Sequence, residues 1–216
     1  MGARTSRAAT GPLLFAAVQA DDAREVARLL AEGAPANWHN HLWTNSTALH
    51  IAALAGRREI LRLLLDHGAD TEAKSDGGAR TLLWAVDSGD VEIIRLLLDR
   101  GAKVDAKNRT DWTALHQAAE RGQLEIVRLL LDRGADLAAR TTGGVSPLHS
   151  AAAHGRQEVA RLLLERGADP LASDMHGQTA VAVCQGEACR RLMADSERLQ
   201  RWHRRKQLAT WRVGGV

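Results

Sequence analysis

The chain has 216 residues, of which 45% are hydrophobic and 25% charged, the balance of a globular rather than a disordered protein. Aromatics make up only 3%, with six Trp, one Phe and no Tyr, which argues against a sandwich or barrel of strands; Leu and Ala dominate, and both favour helix. The net charge of +3 sits at one end, because residues 194–216 carry six basic and two acidic side chains, so the main body has no basic character to attract nucleic acid.

In chain order, residues 1–10 read as a short N-terminal tail. Met1 to Ser6 fits the short N-myristoylation pattern, and the acid-free first 20 residues faintly resemble an organelle transit peptide. A repeat begins at Leu14, with Gly33 19 residues later. The same 19-residue spacing joins Leu49 to Gly68, Leu82 to Gly101, Leu115 to Gly134 and Leu148 to Gly167. From Leu49 to Val181 the units step by 33 residues, whereas the first step is 35, which places a two-residue insertion between Ala34 and Ser46. Five full units and a truncated sixth, starting at Asp174, follow without linkers. From about residue 187 to about 206 a further helix is expected, with Leu192, Leu199 and Trp202 on one face. That face either closes the array or, with Trp202 and Trp211, meets a partner.

Within a unit the pattern predicts two short helices and a loop. In the fourth, Thr113 precedes the first helix, Thr113 to Ala119, as a capping hydroxyl; Thr47, Ser146 and Thr179 hold the same position elsewhere. Pro147 follows Ser146, where a missing N–H costs nothing. Gly122 and Gly134 end the two helices in the left-handed conformation that glycine adopts freely. The second helix, Leu124 to Leu131, places Ile126, Val127, Leu130 and Leu131 on one face and the pair Glu125 and Arg128 on the other. Ala52, Ala85, Ala118 and Ala151 let neighbouring helices approach.

The segments Thr47-Ala48-Leu49-His50-Ile51-Ala52-Ala53, Thr113-Ala114-Leu115-His116 and Ser146-Pro147-Leu148-His149, each followed by Leu-Leu-Leu-(Asp/Glu)-x-Gly-Ala, resemble the ankyrin repeat. The resemblance covers residues 11–193, and residues 194–216 remain as a basic C-terminal helix and tail. It implies an all-α fold, an ankyrin-type helix-turn-helix repeat solenoid with degenerate end caps, because one helix pair cannot bury its apolar face alone. It also implies that His50, His116 and His149 hydrogen-bond loop backbone. Three units depart from the pattern. The third has Arg80 without the hydroxyl and Leu83 in place of the histidine, the first has Phe15 there, and the last has Val181-Ala182 and Ala188 in place of glycine.

No phosphate-binding glycine loop, zinc-protease helix or nucleophile elbow occurs. Glu59, Glu92, Glu125 and Glu158 recur at one repeat position and read as a solvated stripe. His39 and His41 lack acid or Cys neighbours and read as loop residues rather than metal ligands. Cys184 falls at the small-residue position of Ala52, and Cys189, five residues on, is poorly spaced along a helix for a bridge. Two free thiols fit a reducing compartment, and no apolar run approaches the roughly 18–20 residues of a membrane-spanning helix.

The resemblance further implies that loop tips, or fingers, and first helices form the binding face. Its variable positions select Trp43, Asp76, Trp84, Asp87, Arg109, Trp112, Glu120, Arg121, His154 and Met175 as partner-binding candidates. Trp and Arg are the residue types that most often dominate interface energy. The expected function is a non-enzymatic protein-protein interaction scaffold or adaptor, with no catalytic residue, no cofactor and no metal, monomeric and intracellular, in cytoplasm or nucleus. The alternative is a tether to nucleic acid or an anionic surface through the basic tail.

Overall fold

The computed structural model describes residues 7–187, 189–196 and 198. Ten helices lie between Arg7 and Glu165: α1 (Arg7–Gln19), α2 (Ala23–Ala31), α3 (Ala48–Leu54), α4 (Arg58–Asp66), α5 (Thr81–Ser88), α6 (Val91–Asp99), α7 (Ala114–Arg121), α8 (Leu124–Asp132), α9 (Pro147–Ala153) and α10 (Gln157–Glu165). They fall into two compact units, one of the residues up to Ala114 with Arg128–Ala135, the other of Leu115–Val127 with the residues from Asp136 on. The fold is the expected all-α ankyrin repeat solenoid.

The second helix of every full unit is nine residues long and carries a glutamate in its first turn, next to the positive end of the helix dipole. Its buried face follows the repeat: Ile60, Leu61 and Leu64 in α4, Ile93, Ile94 and Leu97 in α6, Val159, Ala160 and Leu163 in α10. Each ends at a left-handed glycine. Gly101, at φ +88°, lets the Ala102 N–H reach back 3.0 Å to the Leu97 carbonyl. In the first unit α3 packs against α1, α4 and α5, and Ala52 and Ala85 are fully buried there, as the small-residue pattern predicts. In the second, α9 packs on α10.

Two features depart from the repeat. The segment that carries the two-residue insertion forms a small hairpin, β1 (His39–Asn40) and β2 (Ser46–Thr47), in antiparallel register with His39 opposite Thr47. The ribbon lacks any strand periodicity because each strand is only two residues long. Its tip is set by Thr44 and Asn45, both at positive φ, and by the Asn40 carboxamide oxygen, which accepts the Leu42 N–H at 3.0 Å. In the sixth unit the first helix is reduced to a turn over residues 181–183. Gly186, at φ +83°, then redirects the chain, and the described residues from 187 to 198 are helical. There Cys189 and Met193, one turn apart, are fully buried, while Leu192 is half-buried. Leu199, Trp202, Trp211 and most of the basic tail lie outside the described residues.

Candidate functional site

The fingers are held from beneath by histidine. His116 Nε2 donates to the Val145 carbonyl at 3.0 Å, and His149 Nε2 to the Gln178 carbonyl at 3.0 Å, each 29 residues ahead. A carbonyl can only accept, so the proton sits on Nε2 and Nδ1 is left as an acceptor. The Thr47 N–H donates to His50 Nδ1 at 3.2 Å, and the Ser146 hydroxyl lies 2.7 Å from His149 Nδ1. The helix cap is therefore a hydroxyl–histidine pair, where the hydroxyl alone is expected from the sequence. Burial lowers both rings' pKa, that of His50 to about 4, with the Ala79 and Gln178 carbonyls opposing the shift. His149 is thus a neutral strut between a helix start and the next finger, whereas His50 is bonded at the helix start through Nδ1 and its buried Nε2 makes no well-formed hydrogen bond.

Where the first repeat has Phe15 in place of histidine, a different device does this work. Phe15 meets Trp38 and Trp43 edge-on, with centroids 6.0 and 5.9 Å apart. Trp38 in turn lies over Gly11, where any Cβ would collide with the indole. Aromatic edges replace the histidine–carbonyl hydrogen bond and anchor the hairpin to α1.

Backbone hydrogen bonds also link successive finger tips. In the first unit the Asp76 N–H donates to Thr44 O at 2.9 Å, and the Arg109 N–H to Gly77 O at 3.1 Å. In the second, the Met175 N–H donates to Gly143 O at 3.0 Å. Asp76, Arg109 and Met175 are therefore fixed in backbone while their side chains stay exposed. This ladder joins residues 32 apart and carries no side-chain signature, so sequence patterns do not reveal it.

The candidate residues divide accordingly. In the first unit Trp43 is 44% exposed on the hairpin, with Asp76 and Arg109 exposed on the following fingers. Trp84, Asp87 and Trp112 are half-buried; Trp84 packs edge-on against His50 with centroids 5.2 Å apart. In the second unit Arg121 and His154 are exposed, Glu120 is half-buried and Met175 is 69% exposed. His154 is partly engaged, with Nδ1 3.0 Å from the Ser150 carbonyl and Nε2 3.8 Å from Glu120. Sequence reasoning overlooks Leu42, 97% exposed at the hairpin tip. The 35-residue step marks that segment as an insertion, and an apolar residue at its tip is the signal that could have found it. Beside Leu42 lies a hollow of about 310 Å³ lined by Pro12, Phe15, Trp38 and His41.

The repeated glutamates Glu59, Glu92, Glu125 and Glu158 are all exposed, the solvated stripe that their recurrence predicts. Among the described residues no cluster of His, Cys, Asp or Glu could hold a metal ion, and no helix is long and apolar enough to cross a membrane.

A family model of ankyrin repeats in three copies matches residues 13–108 and 105–174. Over 72 residues the chain is 43% identical to the 2-5A-dependent ribonuclease of Mus musculus; the stretch covers 33% of this chain and only 10% of that protein. The fold is similar to the crystal structure of the ankyrin repeat domain of Bcl-3, described as a unique member of the IkappaB protein family. That likeness has a TM-score of 0.75 at 32% identity and covers 84% of this chain and 81% of the other. Ankyrin repeat domains generally mediate protein–protein interactions. With the repeat, the helix pairs and the histidine-held fingers in place, the chain belongs to the ankyrin repeat family.

Proposed function

We propose that this chain is a non-enzymatic adaptor that holds a protein partner on its finger and first-helix face, with Trp43, Asp76 and Arg109 as the principal contacts of the first unit. The observation that carries this reading is the backbone ladder through Thr44, Asp76, Gly77 and Arg109. It orders the contact residues before a partner arrives, so little ordering cost remains to be met on binding. The chemistry of the face specifies the partner: an apolar anchor for Leu42 and the hollow beside it, flanked by charges of both signs to meet Asp76 and Arg109. Naked polyanions fit poorly, since phosphates would meet Asp76 with like charge. Trp84, Asp87 and Trp112 in one compact unit, and Glu120, Arg121, His154 and Met175 in the other, hold finger and first-helix positions of their own repeats.

The test is affinity capture of partners with wild type, Leu42→Asp and Arg128→Ala. Leu42 is so exposed that its replacement leaves folding intact. A partner retained by wild type and Arg128→Ala but lost with Leu42→Asp supports the assignment. Capture that survives Leu42→Asp but collapses with added salt or on removal of residues 199–216 assigns binding to the basic tail instead.

A further inference from the structure

Cys184 and Cys189 are both buried, and their sulfurs lie 3.1 Å apart, closer than ordinary van der Waals contact. On one continuous helix a five-residue spacing would set them roughly 140° apart around the axis. They meet because they are not on one helix. Cys184 follows the turn that replaces the sixth unit's first helix, Gly186 redirects the chain, and Cys189 lies in the helix beyond it. The Gln185 N–H donates to the Ala152 carbonyl at 2.9 Å, which fixes this junction against the preceding repeat.

We propose that Cys184 and Cys189 form a thiol modification site, oxidised to an intramolecular disulfide by a small disulfide of the glutathione class. The balance is simple. The Cys189 sulfur, once deprotonated, attacks one sulfur of the oxidant; that S–S bond breaks and a thiolate leaves and takes up a proton. Cys184 then gives up its proton and attacks the Cys189 sulfur of the mixed disulfide, which releases the second small thiol. The chain's two thiols are oxidised and the small disulfide is reduced to two thiols. Burial, and then the hydrogen bond with Cys189, push the Cys184 thiol above its ordinary value, which slows its attack while the pair stays buried, so the second step waits on exposure of the pair to water. Access to the buried pair requires local opening of this junction. The closed bridge would tie the helix that starts at residue 187 to the turn over residues 181–183 and so hold the end of the array shut.

The test is incubation of the full-length reduced protein with excess glutathione disulfide, blocking of remaining thiols with N-ethylmaleimide, and intact mass. The expected product has lost two hydrogens, carries no adduct and no maleimide, and regains both thiols with dithiothreitol. The chain has no third Cys, so the wild-type mass alone identifies the bridge. Cys189→Ser cannot form it and should end with a maleimide or a glutathione adduct. Two maleimides on wild type, stable glutathione adducts, or chains cross-linked to one another would overturn the proposal.

Discussion

The buried histidines tie stability to pH. A ring with its pKa lowered from 6.5 to about 4 stays neutral in the folded chain, while the unfolded chain protonates it below about 6.5. Stability contributed by neutral His50 is therefore present above pH 6.5 and is lost as pH falls toward 4, at a rate of at most about 1.4 kcal/mol per pH unit for this residue. Urea titrations at falling pH, from above 6.5 down toward 4, should show falling midpoints, with a shallower decline in His50→Gln. An unchanged slope would mean that this ring is not the titrating group. Two glycines provide a second check. At Gly101 an added Cβ meets nothing, so Gly101→Ala costs only the strain of an L side chain at φ +88°, about 1 kcal/mol. At Gly144, also at positive φ, the same Cβ would lie 2.9 Å from the Met175 backbone nitrogen, so Gly144→Ala should cost measurably more in denaturant midpoint. Equal costs would exclude the contact between these two fingers.

Among the elements, α6 is capped at its N-terminus by two backbone hydrogen bonds to one carboxylate. The Asp90 carboxylate accepts the Glu92 N–H at 2.9 Å and the Ile93 N–H at 3.3 Å, and Arg58 reaches it from α4 at 2.6 Å. Burial is the largest single effect and raises the carboxyl pKa, but the Arg58 hydrogen bond and the two backbone N–H donors together outweigh it, so the pKa is lowered. Asp90→Ala should destabilise by about 1 kcal/mol, and Arg58→Ala by less, because Arg58 is exposed and water replaces its contact. Chemical denaturation of the two variants side by side decides the order. The hairpin illustrates the same local logic in another form: two positive-φ residues and the Asn40 side chain bend it, and Phe15 holds it.

At the scale of the whole molecule, function and end-sealing separate. Leu42→Asp should weaken partner binding by about 2 kcal/mol, the size of a hot spot, while Arg128→Ala on the second-helix face should change it by under about 0.5 kcal/mol. Calorimetry on a captured partner would compare them, and a larger effect at Arg128 would move the working face to the opposite side. Deletion of residues 187–216 should lower the melting temperature, because Cys189 and Met193 are fully buried and their loss strips cover from the last repeat. A melting temperature unchanged by the deletion would show that this segment does not seal the array.

The repeat, the helix pairs, the buried faces and the left-handed glycines were legible in the sequence because they depend on spacing within one unit. Helical apolar patterns and glycine at helix ends are local signals borne out from Leu14 to Gly167, and the 33-residue step is borne out from Leu49 on. The role of His116 and His149 was legible too, though only through resemblance to a family. What the tertiary structure alone decided lies between units or in broken repeats. The finger ladder uses backbone atoms 32 residues apart, which no side-chain pattern encodes. Phe15 reads as a mere loss of histidine until Trp38 and Trp43 are seen against it. Trp84 and Trp112 look like Trp43 in sequence and differ from it only in how much their neighbours cover them. Cys184 and Cys189 are separated by a helix-breaking glycine, and five residues of sequence become 3.1 Å of space because the chain turns there rather than continuing as a helix.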